Sequence, residues 1–330
     1  MARPTLHDVA KLSGVSTATV SHVINDTRKV SQQTSDRVRE AIRVLGYQQN
    51  LSARQLKTGV NYTIGFVVPD ITNLFYATVV QRVSDYCMER GYSLLCVNTF
   101  EQPHQEQAHL RMLCRHPLGG LIIASTVERY ADIAEYAPRV PTLFFDRSLD
   151  NCPFECIRIN AYQAYYDATA DLVRRGHRRI GYLAGLQRIS TSRERLKAFR
   201  DALNVAGFPM SNSIVCKCDS IATRTVDETY RLLKEGCTAI IASNRSMLLA
   251  TTYALARKGV RIGQDVQLVG STENTPILPF ADRINLISQP IDLVADFLAA
   301  SVIRKIEHPN ATLHIPAFYS VYEPLMERNG

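Results

Sequence analysis

No apolar run in the chain approaches the roughly 18 to 20 residues that span a bilayer, so no membrane partner is expected. The start lacks the charged-then-apolar layout of a secretory leader, and the expected location is the cytoplasm. The eight cysteines, Cys87, Cys96, Cys114, Cys152, Cys156, Cys216, Cys218 and Cys237, do not suggest a disulfide framework, which belongs to short secreted chains. Neither Cys152/Cys156 nor Cys216/Cys218 is accompanied by a second pair at zinc-finger spacing or by a Cys/His tract. Reduced, mostly buried thiols are expected, and no metal or other cofactor is implied. A glycine-rich phosphate loop, a Gly-x-Ser-x-Gly elbow and paired metal-ligand motifs are missing too. These absences argue against an enzyme.

What is present is a chain of 330 residues, 46% hydrophobic and 21% charged, with a net charge of +7. That composition suits a soluble globular protein of two or three domains. The charge is unevenly placed. Residues 1–60 hold nine basic residues against four acidic ones, which leaves +5 of the +7 in the first fifth of the chain. A basic module on a near-neutral body suggests a polyanion partner, although a solvated helical surface accounts for the charge equally well.

Within that module, Thr5 followed by Asp8 has the form of a helix start, a capping hydroxyl with an acid in the first turn. Leu6, Val9, Ala10 and Ser13 then share one helical face. Gly14 permits a tight turn. Ser16 caps a second helix in which Val20, Val23 and Ile24 point inward, while Thr17, Ala18, Ser21 and His22 point elsewhere. A third helix begins after Ser31, packs through Val38, Ala41, Ile42 and Leu45, and ends at Gly46. Helix, glycine turn, helix is the helix-turn-helix arrangement, whose second helix enters a DNA major groove about 12 Å wide. Thr17 and Ala18 offer methyls to thymine, and His22 offers a hydrogen bond to a purine. A helical hairpin used only for packing is the alternative.

The stretch from Thr5 to Gly59, "TLHDVAKLSGVSTATVSHVINDTRKVSQQTSDRVREAIRVLGYQQNLSARQLKTG", resembles the DNA-binding headpiece of the lactose-repressor family of bacterial regulators. It is most similar to the purine and ribose repressors, which share "VSTxTVSHVIN". Gln49 departs from the proline usual in "GYxPN". The resemblance extends the expected DNA contacts to Thr5, Ser16, Thr19, Ser21, Asn25, Arg28 and Ser31. It also implies that Asn50 to Thr58 is a hinge helix that pairs with a dimer mate, with Leu56 wedged into the minor groove and Arg54 and Lys57 facing phosphates. Such a segment is too short to be a stable helix alone in water.

From Tyr62 onward, short apolar runs alternate with helical segments: residues 63–68, 92–97, 120–125, 141–146, 179–185, 238–243 and 266–270. Continuous apolar strands separated by helices indicate buried parallel sheets, and the number of runs suggests two α/β subdomains. The resemblance covers nearly all of this region and implies a periplasmic-binding-protein-like effector domain, two lobes with ligand in the cleft and three crossings near Asn160, Gln289 and Phe318. The expected architecture is an all-α helix-turn-helix headpiece over 1–49 and a hinge over 50–60. An α/β effector and dimerisation domain of two parallel-sheet subdomains follows over 61–330. Its first lobe takes about 61–160 and 291–318, its second about 161–290 and 319–330.

Carried over by position, the expected cleft residues are Asp70, Phe75, Tyr76, Ser125, Asp146, Thr191, Arg195, Asn244, Arg245, Thr272 and Gln289. Phe75 and Tyr76 would stack on a ligand ring, and Arg195 would hold an oxygen or carboxylate. Sugar-binding members carry acids at two places where this chain has Arg245 and Thr272, and a proline where it has Asp282. These changes move the cleft toward positive charge, so the expected effector is an anion such as a sugar acid or sugar phosphate. The expected function is a repressor that binds a pseudo-palindromic double-stranded operator as a homodimer and responds to that effector. A dimer rather than a tetramer is expected because "EPLMERNG" carries no leucine heptad. The alternatives are a solute-binding protein, and a DNA-binding regulator with a degenerate, ligand-free cleft.

Overall fold

The computed structural model describes residues 4–25, 28–47, 60–136, 139–218, 222–273 and 281–325, and only the backbone of Asn25, Met210, Ala222, Glu273 and Ala281. The chain divides into two compact units, Met1–Val60 and Asn61–Gly330. The expectations for Arg54, Leu56, Lys57 and the Asn25 side chain lie outside the described residues.

The first unit contains α1 (Leu6–Ser13), α2 (Thr17–Asn25) and α3 (Gln32–Leu45). Thr5 and Asp8 form a full capping box, with the Thr5 hydroxyl accepting from the Asp8 amide and the Asp8 carboxylate accepting from the Thr5 amide. Gly14 ends α1 at φ 66°, a left-handed conformation that costs glycine little. Ser16 caps α2 by accepting from the Thr19 amide at 3.1 Å, and Ser31 caps α3 by accepting from Thr34 at 3.3 Å. Val9, Ala10, Val20, Val38 and Ala41 form the buried core, with Leu6, Val23, Ile24, Ile42 and Leu45 packed around it.

Among the described residues, the second unit holds two large sheets and a two-stranded one. The first is built from β1 (Thr63–Val68), β2 (Ser93–Asn98), β3 (Gly120–Ile123), β4 (Thr142–Phe145) and β5 (Cys156–Ile157), in the order β2-β1-β3-β4-β5, all parallel. Helix α4 (Leu74–Glu89) and α5 (Pro103–Leu113) supply its cover. After β6 (Ile159–Asn160) the chain enters the second sheet. There α6 (Tyr162–Arg174), β7 (Ile180–Ala184), α7 (Ser190–Val205), β8 (Ser213–Lys217), α8 (Ala222–Lys234), β9 (Ala239–Ala242), α9 (Arg245–Arg257), β10 (Gln267–Glu273) and β11 (Asn285–Gln289) follow. Helix α10 (Ile291–Glu307) returns to pack on α4. Then β12 (Phe318–Tyr319) pairs with β6, and β13 (Val321–Glu323) runs antiparallel to β11, giving the order β13-β11-β10-β9-β7-β8.

Parallel strands covered on both faces must be apolar on both. Along β7, Tyr182 packs with Tyr165 and Phe199 on one side, while Leu183 packs with Leu232 and Met247 on the other. Strands β5, β6, β8, β11, β12 and β13 were not among the apolar runs read from the sequence. Four of them are only two or three residues long, β8 is a half-buried edge strand, and β11 carries polar Asn285, Ser288 and Gln289, so none presents a continuous apolar signal. The thiols are also less buried than expected. Cys87, Cys216, Cys218 and Cys237 are enclosed, but Cys96 and Cys114 are exposed, Cys96 because it lies on edge strand β2.

Helix α9 lies so close to β10 that a Cβ at Gly270 would sit 2.3 Å from Leu248 Cδ1 and 2.7 Å from its Cγ. Leu248 is fully buried and has nowhere to retreat. Gly270→Ala is therefore expected to destabilise the protein by about 1–3 kcal/mol through overpacking, seen as a lowered urea midpoint. An unchanged midpoint would mean that α9 floats freely on the sheet.

Candidate DNA-reading helix and interlobe cleft

On the first unit, Thr17 and Ala18 stand exposed at the start of α2, while Val20 on the opposite side is fully buried. Thr19, Ser21 and His22 are half-buried, and Arg28 is exposed. Thr5, Ser16 and Ser31 all spend a side-chain oxygen on a helix cap. They fix the pose of the helices whatever else they touch. The apolar stripe thus turns the short polar face of α2 outward.

On the second unit, a cavity forms where the carboxyl ends of both sheets meet, the place where parallel α/β sheets bind ligands. Phe75, Tyr76, Asp146, Thr191, Arg195, Asn244, Arg245 and Gln289 all line it. Asn73 caps α4 by accepting from the Phe75 amide at 3.1 Å, which sets the two rings at the mouth. Phe75 stacks on Phe145 at 5.8 Å and meets Tyr76 edge-on at 5.0 Å. The Tyr76 hydroxyl donates to Asp146 at 2.6 Å. Burial pushes that phenol well above its ordinary range, so the proton stays on tyrosine. Asp146 itself sits at φ 64°, a left-handed backbone that a non-glycine residue adopts only when its surroundings impose it.

From the second lobe, Arg195 reaches in from α7 and is half-buried. Its Nη1 donates to the Ser243 carbonyl at 2.7 Å, and its Nε has no hydrogen-bond partner. Asn244 caps α9 by accepting from Met247 at 2.9 Å. Arg245 donates to the Thr272 hydroxyl at 3.2 Å, and Gln289 to Ser271 at 2.9 Å.

Three expected residues stand behind the wall instead of on it. Asp70 caps the turn before α4, accepting from the Thr72 amide and hydroxyl at 2.9 and 2.7 Å. Ser125 is fully enclosed and donates to buried Glu106 at 2.6 Å. Thr272 is covered and serves by holding Arg245. The sequence reading missed Asn73, Glu101, Arg147, Leu186, Ile189, Ser192 and Ser271 on the lining. Of these, Arg147 and Glu101 form a bidentate pair at 2.5 and 2.9 Å, and Arg147 also donates to the Ser125 carbonyl. The rule that ligands lie beyond strand ends was a usable signal, since Glu101 follows β2 and Arg147 follows β4.

The family match agrees with this geometry. Residues 61–319 match the periplasmic binding proteins and sugar binding domain of the LacI family, and residues 5–50 match the bacterial regulatory proteins of the lacI family. The chain belongs to the LacI family. This LacI-family chain is 34% identical over 291 residues to the HTH-type transcriptional repressor PurR of Photobacterium profundum, covering 87% of both chains. The PurR repressor of Vibrio atlanticus is 29% identical over 331 residues, 98% of both chains. Among solved structures, the lac repressor bound to ONPG in the repressed state superposes with a TM-score of 0.79 at 25% identity, covering 97% of this chain and 98% of that one. The CelR–cellobiose complex does so with a TM-score of 0.67 at 26% identity, over 98% and 100%.

Three side chains bridge the lobes at the mouth of the cleft in this LacI-family chain. Arg188 donates to the Glu101 carbonyl at 2.7 Å and to the Thr126 carbonyl at 3.2 Å. Arg193 pairs with Glu128 at 2.6 Å, and the Ser148 amide donates to Ser190 at 3.0 Å. Hydrogen bonds involving a charged group contribute about 1.5–3 kcal/mol each. Arg188→Ala is therefore expected to speed amide exchange in residues 99–102 and 186–190 by roughly tenfold or more, with β7 unchanged. Equal exchange in the two proteins would remove Arg188 from the closure.

Proposed function

We propose that this protein is a transcriptional repressor that binds a pseudo-palindromic operator as a homodimer in the cytoplasm and changes its DNA affinity when a small anion occupies the interlobe cleft. The observation that carries the reading is the outward-facing start of α2 on a helix-turn-helix, inside the segment that matches the family's regulatory headpiece. Similarity to repressors named PurR and to a ligand-bound lac repressor supports it.

In this reading residues 1–49 are the headpiece, 50–60 the hinge and 61–330 the effector domain. Its first lobe takes about 61–160 and 291–318, its second about 161–290 and 319–330. Thr17, Ala18 and His22 read bases. Thr5, Ser16, Thr19, Ser21, Asn25, Arg28 and Ser31 seat the headpiece on the duplex. Leu56 wedges the minor groove between phosphate contacts from Arg54 and Lys57. The dimer forms through the first lobe, where Leu74, Met88 and Met112 present exposed apolar surface on α4 and α5. Phe75, Tyr76, Asp146, Thr191, Arg195, Asn244, Arg245 and Gln289 surround the effector, with Asp70, Ser125 and Thr272 bracing them. Arg195 supports the anion, because a half-buried guanidinium that makes no ion pair among the described residues gains most from a carboxylate or phosphate.

A second reading, a DNA-binding regulator whose cleft no longer takes a ligand, draws on the lobe-to-lobe bonds of Arg188 and Arg193. Thermal-shift screening of the whole protein against anionic and neutral metabolites separates the two, since a ligand that binds only the folded state raises the melting temperature with its concentration. For the headpiece, a good base contact is worth about 1–3 kcal/mol. His22→Ala is expected to weaken the preferred operator, selected from random sequence, by that amount and to relax choice at one position. Equal weakening on all sequences would assign His22 to the phosphates and sink the base-reading role.

A further inference from the structure

The two walls of the cleft carry opposite charge. On the first-lobe wall, Arg147 lies between two carboxylates, bidentate to Glu101 and with its Nε 3.7 Å from Asp146 Oδ2. One guanidinium against two acids leaves that wall net negative. On the second-lobe wall, the described lining residues include Arg195 and no carboxylate. Arg195 is half-buried, makes no ion pair among the described residues, and keeps its enclosed Nε without a hydrogen-bond partner. The cleft is therefore polarised from one lobe to the other.

Glu101 makes this polarity, and it is firmly held. Its backbone is left-handed at φ 55°, next to Phe100 at 53°. Its carbonyl accepts from Arg188 of the opposite lobe, and its carboxylate is fixed by Arg147. A strained backbone pinned at both the carbonyl and the side chain is a built feature. If Glu101 were neutral, Arg147 and Asp146 would balance, and the first-lobe wall would tolerate a second anion.

We infer that Glu101 is the specificity-determining residue of the cleft. It restricts the effector to molecules with one anionic group, bound at the Arg195 side, and hydroxyls at the Asp146 side, and it rejects molecules carrying an anion at each end. Rejection by a like charge that is already in place costs a competitor without adding any contact to the correct ligand. This deepens the anionic-effector reading and rests on it.

The test uses full-length protein, titration calorimetry and four six-carbon probes that differ only at their ends: glucitol, gluconate, glucarate and the monoamide of glucarate. Wild type is expected to bind gluconate and the monoamide at least tenfold more tightly than either glucitol or glucarate. Glu101→Gln is expected to bind glucarate at least tenfold more tightly than wild type does and to narrow the ratio of monoamide to glucarate affinity at least tenfold, while Glu101→Asp keeps the rejection. The monoamide removes the second charge from the ligand rather than from the protein, so the comparison stands on wild type alone if Glu101→Gln does not fold. Binding of none of the four, or glucitol as tight as gluconate, overturns the anionic reading itself. Gluconate preferred over glucitol, but with glucarate as tight as the monoamide or unimproved by a folded Glu101→Gln, leaves that reading standing and overturns the role of Glu101.

Discussion

A guanidinium withdrawn from water costs several kcal/mol unless its donors and its charge are met, and the cleft of the second unit is arranged around one buried and one half-buried guanidinium. The charge of Arg147 is met by its own lobe, with Glu101, Asp146 and the Ser125 carbonyl around it, although its Nε makes no hydrogen bond. Arg195 is met only in part, by the Ser243 carbonyl and the face of Tyr165 at 5.6 Å. The first arginine is a structural part of the wall. The second keeps an unspent share of its interaction energy, and a site that binds anions needs such a share. The left-handed backbones at Glu101 and Asp146 follow from the same requirement, because both loops must turn sharply to bring carboxylates onto Arg147.

The support behind these groups extends through a second layer of bonds. Glu106 is fully enclosed and accepts from Ser125 and from both the amide and hydroxyl of Thr126. Those two residues in turn offer carbonyls to Arg147 and to Arg188 from the other lobe. Burial raises the Glu106 carboxyl above its usual range while the three donors pull it back. Glu106 thus fixes the end of β3, and the end of β3 fixes one cation inside the cleft and one across its mouth.

What the sequence made legible was local. The caps at Thr5, Ser16 and Ser31 are read from neighbours three residues away, and the apolar runs of β1, β3, β4, β7 and β9 announce buried strands by themselves. What it hid was long-range. Arg147 and Glu101 lie 46 positions apart, and nothing near either one says that they meet. Strand β8 was lost because an edge strand needs only one covered side. The expectation for Thr272 found the right place but the wrong duty, since position on a strand end does not say which way a hydroxyl faces. Arg245 was legible as a change of charge, and only the fold shows that Thr272 receives it.

The mouth contacts limit what any effector achieves. A ligand shifts a two-state equilibrium only by its differential affinity for the two states. Every bond that Arg188, Arg193 and Ser148 make on closing favours the closed state whether or not a ligand is present. The closed fraction rises with those bonds, so the apparent affinity of a closed-state ligand approaches its intrinsic value. At the same time the remaining open fraction, which is all that such a ligand has left to convert, shrinks. Strong mouth contacts therefore make a cleft that senses its effector tightly and transmits little, and weak ones make a cleft that senses loosely and transmits much. The Arg193–Glu128 pair is exposed and contributes at most about 1 kcal/mol, while the Arg188 bonds to carbonyls contribute about 1.5–3 kcal/mol each. On the proposed reading, Arg188 is therefore the side chain that sets the balance between sensing and transmission.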